Sequence, residues 1–327
     1  MRAYRLSLHR SIFALALVAL LVITGCRSVA RVQPTTPPTP TYTPRSTPLP
    51  TIATPPPPGS EDNPIALVFG REASQSNAGV AGAVDGLETV LLESYNLTVD
   101  VRTVNSSADA VEALCGSPDG PPAAAWVNGV GYAAALAREC AQPELLAERR
   151  EGFGAEVVII VNSATEIRAV SGLAGARFCR ISGDDLYSWI VPSLLMRASG
   201  LSPTQLGGVE DVDDANALVT AVAGGDCDAA GIDAAGLERL GSSARIRQLD
   251  TTVNVPFSIF MISPVIPLGV RQTLIEALVT TAADAEQAEV LEPLLDQTRL
   301  VPISADALDG WNAFIRATRL DFNAMGN

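Results

Sequence analysis

The chain of 327 residues contains no lysine, and its one histidine, His9, lies among the first ten residues. Beyond the N-terminal segment there is therefore no residue for a Ser-His-Asp triad, a Cys-His pair, a Schiff-base or P-loop lysine, or a histidine-ligated metal. Acid–base catalysis by carboxylates alone, as in glycosidases, is the enzyme chemistry that stays open. We expect a protein that is not an enzyme and that uses no cofactor and no metal.

Basic residues are scarce in the larger part of the chain. All 36 acidic residues lie beyond residue 60, together with sixteen of the 22 arginines, which gives this part a formal charge of −20. Such a surface repels phosphates, so we do not expect nucleic acid as a partner.

Cysteine is also rare, with five residues in all. Apart from Cys26, the chain contains Cys115, Cys140, Cys179 and Cys227. An even number of cysteines in an exported chain favours two disulfides, for which three connectivities are possible. A four-thiolate zinc site is the alternative, but the paired C-x₂-C spacing of such sites is missing.

The N-terminus has the pattern of an export signal. Three arginines precede an apolar run from Ile12 to Ile23, which is typical of a secretory signal and short for a membrane span. The run ends in ITGC (23–26), which resembles the cleavage box of bacterial lipoproteins. We predict a signal peptide over residues 1–25 and lipidation of Cys26; an ordinary signal peptide and an uncleaved anchor are the alternatives.

Residues 26–63 are predicted to form a tether. Its central part, residues 33–60, is rich in proline and threonine and has no acidic residue, so it cannot bury a core and should be extended. A plain spacer is the simplest interpretation, and a glycosylated stalk is the alternative. The globular part is expected to begin at about residue 64.

Short apolar runs alternate with helical patterns through the globular part. This alternation predicts an α/β fold with largely parallel sheets, in which ligands bind beyond the carboxyl ends of the strands. The predicted strands include PIALVFG (64–70), AAAWVNG (123–129), EVVIIVN (156–162), ARFCRIS (176–182), CDAAGID (227–233) and VPFSIFMIS (255–263), and the predicted helices include AGAVDGLETVLLESYN (81–96) and DANALVTAVAGG (214–225).

A series of short segments carries a further signal. They are Glu112–Cys115, Asn128–Tyr132, Leu173–Gly175, Phe178–Arg180, WIVPSLLMRASGL (189–201), AVAGGDCDAAG (221–231) and Val255-Pro256. In this order and spacing they resemble the periplasmic substrate-binding proteins of phosphate, phosphite and phosphonate ABC transporters. The resemblance extends from about Pro64 to Pro302.

The resemblance implies a two-lobed type II periplasmic binding protein, in which each lobe is a mostly parallel sheet flanked by helices. The first lobe would comprise residues 64–157 and 256–327, and the second residues 158–255. Two crossovers would form a hinge, and ligand between the lobes would stabilise closure. Each local disulfide, Cys115–Cys140 and Cys179–Cys227, would then lie within one lobe, and we favour this pairing.

The segment before the WIVP motif (189–192) departs from the family pattern. In the family, a Ser-Thr-Ser-Gly cluster there holds the phosphonate oxygens. Counting back places Asp185, Leu186, Tyr187 and Ser188 on these four positions. The family's histidine before the next helix is missing as well. We keep all four residues as candidate ligand contacts.

Asp185 admits two interpretations. It caps the following helix, a preference worth about 1 kcal/mol, or it points into the cleft and replaces the anion. In the second case the site favours a neutral or cationic ligand, because a phosphonate buried against an unpaired carboxylate costs several kcal/mol. Arg71 and Arg180 are the candidate compensating cations.

Further candidate contacts lie beyond the other strands. Ser74 and Gln75 follow the first strand, Asn128 and Tyr132 follow AAAWV, and Asp233 ends CDAAGID. For each of them, helix capping or packing is the alternative role.

The function expected from this pattern is a lipid-anchored solute-binding protein of an ABC importer. It would be a monomer on the outer face of the cell membrane, with a small polar solute and a membrane permease as partners. A sensory or receptor lipoprotein with the same fold and an altered or lost ligand site is the alternative.

Overall fold

The computed structural model describes residues 55–71, 78–116, 120–150, 152–241, 243–249, 252–297, 299–304 and 306–324. The expected signal peptide and Cys26 lie outside the described residues. Within these ranges, no helix combines the length and the hydrophobicity that crossing a bilayer requires.

Twelve strands and nine α-helices are assigned in the described ranges. The strands are β1 Ile65–Gly70, β2 Val99–Val104, β3 Ala123–Val127, β4 Gln142–Glu148, β5 Gly154–Asn162, β6 Arg177–Arg180, β7 Gly208–Asp211, β8 Ala229–Asp233, β9 Ile246–Gln248, β10 Val253–Pro256, β11 Ile259–Ile262 and β12 Arg299–Pro302. The helices are α1 Val80–Tyr95, α2 Ser107–Leu114, α3 Gly129–Ala137, α4 Val191–Ala198, α5 Ala215–Gly224, α6 Ala234–Leu240, α7 Leu268–Ala283, α8 Glu292–Leu295 and α9 Asp309–Thr318. A π-helical turn, Leu186–Ile190, leads into α4, and shorter 3₁₀ turns lie at Val170–Leu173, Pro203–Gln205, Ala288–Val290 and Phe322–Ala324.

The first sheet has the strand order β12-β4-β11-β3-β1-β2. Strand β1 is completely buried between β2 and β3, and its side chains alternate between two cores because successive residues of a strand point to opposite faces. Leu67 joins the core formed with α1, where Leu87 and Leu91 lie, whereas Val68 joins the core formed with α2 around Val111.

The second sheet has the strand order β10-β5-β8-β6-β7, and β9 pairs with the other part of β5. Helix α5 covers one face of this sheet through Leu218 and Val222, which pack with Val158 and Ile160 of β5. The two sheets flanked by helices confirm the predicted fold class.

The expected parallel order holds only in the centre of each sheet. Strands β2, β1 and β3 are parallel, as are β7, β6 and β8, but β4, β5, β9, β10, β11 and β12 all pair antiparallel. Parallel neighbours need a long crossover, usually a helix, and several of the antiparallel strands are instead reached through short connections. The sheets are therefore mixed.

The predicted strand over 255–263 is two strands in two different sheets. Strand β10 ends at Pro256 in the second sheet, and β11 begins at Ile259 in the first. The reverse crossover lies between β4, which ends at Glu148, and β5, which begins at Gly154. All strands of the second sheet thus lie between residues 154 and 256.

Both disulfides have the pairing favoured in the sequence analysis. Cys115–Cys140 joins the end of α2 to the segment after α3, and Cys179–Cys227 joins β6 to the segment before β8. Cys179 and Cys227 are almost completely buried in the core of the second sheet.

The C-terminal helix α9 contacts both halves of the globular part. It packs against α4 and β10 as well as α3. Trp311 of α9 is buried, and its indole Nε1 donates a hydrogen bond of 2.8 Å to the carbonyl oxygen of Gly129. The resemblance implies that residues 256–327 belong to the first lobe, whereas α9 bridges the two.

Gly231 in β8 allows the chain around α4 to lie directly on the second sheet. A Cβ at this position would lie 2.1 Å from Cγ of Pro192 and 2.8 Å from the carbonyl oxygen of Tyr187. Because one of these neighbours is backbone and the other a proline ring, neither can move aside cheaply.

We predict that Gly231→Ala lowers the free energy of unfolding by about 1–3 kcal/mol, the usual cost of overpacking. Gly208→Ala in β7 is the matched control, because a Cβ there meets no heavy atom within 4 Å. Chemical denaturation of both variants measures the difference. Equal stability of the two variants would contradict the close packing of α4 on β8.

Candidate functional site

A cleft of about 630 Å³ lies where the ends of the second sheet meet the two crossovers. The second-sheet half supplies the loop after β6, the end of β8 and the first turns of α5 and α6. The crossovers and the first-sheet half supply the opposite side. Its lining residues are Arg149, Gly154, Ala155, Glu156, Ile181, Asp185, Tyr187, Ser188, Ala215, Leu218, Gly231, Ile232, Asp233, Ala234, Ala235, Glu238, Arg239, Asn254, Phe257 and Asp296.

Asp185 is both a helix cap and part of the cleft lining. Its backbone is extended, and its carboxylate oxygen Oδ1 accepts a hydrogen bond of 2.6 Å from the backbone N–H of Ser188. Its carbonyl oxygen accepts from the N–H groups of Trp189 and Ile190. Since Ile190 is five residues ahead, the turn is π-helical, a rare geometry that often marks functional sites.

The other three residues of the loop before the WIVP motif, Leu186, Tyr187 and Ser188, have different environments. Ser188 is almost completely buried, and its hydroxyl oxygen accepts a hydrogen bond of 3.0 Å from the N–H of Ile181. Tyr187 lies in the cleft lining, whereas Leu186 is buried in the core and does not line the cleft. The amide and hydroxyl of Ser188 are thus used within the loop itself.

Asp184, next to the cap, lies outside the lining. Its exposed carboxylate accepts a hydrogen bond of 2.5 Å from the hydroxyl of Ser182, and this contact lowers the pKa of the Asp184 carboxyl. It is a solvated turn residue.

Asp233 repeats the arrangement of Asp185 at the start of α6. Its Oδ2 accepts a hydrogen bond of 2.6 Å from the N–H of Gly236 and lies 3.7 Å from a guanidinium nitrogen of Arg239. A carboxylate at a helix start is favoured by the free N–H groups and by the helix dipole. Two of the cleft-lining residues from the second sheet, Asp185 and Asp233, are therefore aspartate caps.

The opposite side of the cleft carries Arg149 and Phe257. The guanidinium carbon of Arg149 lies 4.4 Å from the centre of the Phe257 ring, a cation–π geometry, and its Nε donates 3.3 Å to the carbonyl oxygen of Leu295. Phe257 is buried in the crossover that follows β10. Neither of these two contacts of Arg149, with the Phe257 ring and with the Leu295 carbonyl oxygen, involves a carboxylate.

Negative charge dominates the cleft lining. Its cations are Arg149 and Arg239, and its carboxylates are Glu156, Asp185, Asp233, Glu238 and Asp296. Among the described residues, no three histidine, cysteine or acidic side chains are grouped so as to hold a metal ion.

The structure does not bring Asn128 and Tyr132 into this cleft. The side-chain oxygen of Asn128 caps α3 by accepting from the N–H groups of Val130 and Gly131, both at 3.0 Å. Tyr132 is buried beneath α9, and this burial raises the pKa of its phenol, while a hydrogen bond with Asn312 opposes the rise. Asn128 therefore caps a helix and Tyr132 packs in the interior, which are the alternative roles given for them above.

The other predicted contacts have separate outcomes. Ser74 and Gln75 lie outside the described residues. Arg180 does not line the cleft: its Nε donates 2.6 Å to Asp211, and its guanidinium lies 4.8 Å from the Trp189 ring centre. Arg71 is buried at the end of β1.

Sequence reasoning missed the crossover side of the cleft. Glu156 and Asn254 pair across β5 and β10, and Arg149 and Phe257 lie just outside these strands. The signal was available, because the two-lobed resemblance implies that ligand lies beside the crossovers. What sequence reasoning did not identify is which side chains flank the crossovers: Arg149 directly after β4 and Phe257 directly after β10.

We predict that Asp185→Ala destabilises the protein by about 1 kcal/mol, whereas Asp185→Asn changes the stability by only a few tenths. The reason is that asparagine caps a helix about as well as aspartate does, and alanine does not. Thermal or chemical unfolding of both variants tests this. If the two substitutions cost the same, the capping bond to Ser188 contributes nothing measurable.

Solved structures share the fold of this chain. A Xanthomonas citri protein bound to ATP matches with a TM-score of 0.60 and 12% identity, over 78% of this chain and 96% of its own. The binding protein component of an ABC phosphonate transporter from Pseudomonas aeruginosa matches with a TM-score of 0.52 and 15% identity, over 80% of this chain and 90% of its own. PhnD1 from Prochlorococcus marinus, in complex with methylphosphonate, matches with a TM-score of 0.51 and 13% identity, over 78% of this chain and 97% of its own.

No curated protein matches the sequence. A sequence profile does, over residues 69–308, and its family is described as the periplasmic substrate-binding protein of phosphonate ABC transporters. The match covers most of the chain and includes both crossovers, the second sheet and all of the first sheet except most of β1. This chain belongs to the family of periplasmic substrate-binding proteins of phosphonate ABC transporters.

Proposed function

We propose that the chain is the lipid-anchored, extracytoplasmic binding component of an ABC importer, and that it carries a small polar solute in the cleft to a membrane permease. The cleft itself supports this most directly. At about 630 Å³ it has the size of a small-molecule site, and it lies beside both crossovers, where a hinge motion changes its width.

The two proposed lobes correspond to the two sheets. Residues 64–153 and 257–327 would form one lobe, and residues 154–256, which contain every strand assigned to the second sheet, would form the other; α9 contacts both. Solute held between Phe257 on one side and Tyr187 on the other would stabilise the closed arrangement. The anchor at Cys26 and the tether up to residue 63 would keep the lobes near the permease.

Ligand binding in the cleft is tested on the full-length protein with a broad panel of sugars, amino acids, oxyanions and amines. A solute that binds the folded state should raise its stability by about 2.7 kcal/mol at a hundredfold excess over Kd. Ala235→Trp fills the cleft and should abolish the shift whatever the ligand's charge, because Ala235 lines it.

Ala113→Trp is the control, since Ala113 is an exposed alanine on α2 outside the cleft lining. A shift that survives Ala235→Trp would locate the ligand elsewhere and contradict the proposal. A shift with no energy-dependent uptake in a host that carries the cognate permease would favour the alternative, a sensory lipoprotein with the same fold.

The anchor makes a separate prediction. Cys26→Ser should move the protein from the membrane fraction to the soluble extracytoplasmic fraction in a bacterial host, because a serine cannot receive the thioether-linked lipid. Thr24→Ser is the control, and fractionation with lipid labelling is the measurement. Continued membrane association of Cys26→Ser would indicate an uncleaved N-terminal anchor instead.

A further inference from the structure

The cleft displays carboxylate oxygens that the chain itself does not use. Asp185 accepts from Ser188 through Oδ1, and no donor among the described residues reaches its Oδ2. Glu156, Glu238 and Asp296 also line the cleft, where they are exposed to solvent. These acceptors line one cavity together with the half-buried Asp185.

At each of the two helix starts in the cleft lining, one of the donors that an oxyanion needs is occupied by an aspartate. At the start of the π-helical turn the N–H of Ser188 binds Asp185, and the Ser188 hydroxyl binds Ile181. At the start of α6 the N–H of Gly236 binds Asp233. An anion bound at either helix start would lie beside a covalently tethered carboxylate, which would repel it.

The two arginines of the lining do not reverse this balance. Arg239 lies beside Asp233, so its charge is offset within the cleft wall. Arg149 is fixed over Phe257 and bonded to the carbonyl oxygen of Leu295, at the first-sheet side of the cavity. On the second-sheet side, around Asp185, the field is negative, and a buried anion there would be repelled.

We infer that the cleft selects an amine-bearing solute, whose ammonium group donates to Asp185 Oδ2 and is attracted by the neighbouring carboxylates. This inference rests on the proposed function, because it assigns the ligand class of the same cleft. Each N–H of an ammonium would satisfy an acceptor that is otherwise exposed to water, and charged hydrogen bonds of this kind are stronger than neutral ones.

The test uses the full-length protein and isothermal titration with putrescine and ethylamine as amine probes, and with phosphate and methylphosphonate as oxyanion probes. We expect saturable binding of at least one amine and none of the oxyanions. Raising the salt from low to molar concentration should weaken the amine, because the attraction is ionic.

Asp185→Asn is the decisive variant, because it keeps the cap and removes the charge. It should weaken amine binding about ten- to a hundredfold, as expected for loss of a hydrogen bond to a charged group. Asp214→Asn is the matched control: Asp214 also caps a helix, accepting 2.7 Å from the N–H of Ala217, but it does not line the cleft. It should leave the affinity within about twofold, because exposed charges are screened.

The outcomes separate the two levels of the proposal. Saturable binding of phosphate or methylphosphonate, or of a neutral solute alone, overturns the amine assignment and leaves the binding function standing. Amine binding that Asp185→Asn does not weaken also overturns it. Absence of any binding across the broad solute panel, with the fold intact, overturns both.

Discussion

The antiparallel pairing of β5 with β10 is the constraint on which the rest of the structure depends. It sets the two crossovers side by side, with Gly154 opposite Pro256 and Val157 opposite Val253. Gly154 has no room for a side chain, since a Cβ there would lie 2.2 Å from Asn254 Oδ1 and 2.5 Å from the carbonyl oxygen of Val255. The cleft lies beside this pair, and the chain enters and leaves the second sheet through it.

Helix α9 connects the two lobes in addition to the two crossovers. Pro256 ends β10 and lies close to Gly129, where the ring of Trp311 also packs. Helix α9 is therefore fastened to the first half through Gly129 and to the second through α4. A hinge motion of the lobes has to keep or exchange these contacts, so α9 contributes to the energy of opening and closing.

Much of the fold could be predicted from local patterns, and the site could be predicted only in part. Strands such as β1 and β5 are continuous apolar runs, and α5 lies between an aspartate cap and a glycine C-cap, signals that act within a few residues. Strands β7 and β9 are short and only partly buried, so hydrophobic patterning does not detect them. The run 255–263 changes sheets with Ser258 as its one polar residue between β10 and β11, which is too weak a break to divide a predicted strand. At the site, the aspartates were visible in the sequence, but their partners Ser188 and Gly236 depend on turn geometry.

A bound anion and a capping side chain can replace each other at a helix start because of one property of helix starts. Their free N–H groups must be satisfied when they are removed from water, either by a bound anion or by a side chain of the protein. A bound anion satisfies them only in the liganded state, whereas Asp185 and Asp233 each satisfy one of them without a ligand. Each cap uses one carboxylate oxygen, and no donor among the described residues reaches the second oxygen of Asp185. The two-lobed architecture is unaffected by this exchange, because the crossovers and the sheets do not take part in it. The architecture therefore follows from the sheets and crossovers, whereas the chemistry of the cleft follows from the side chains of its lining.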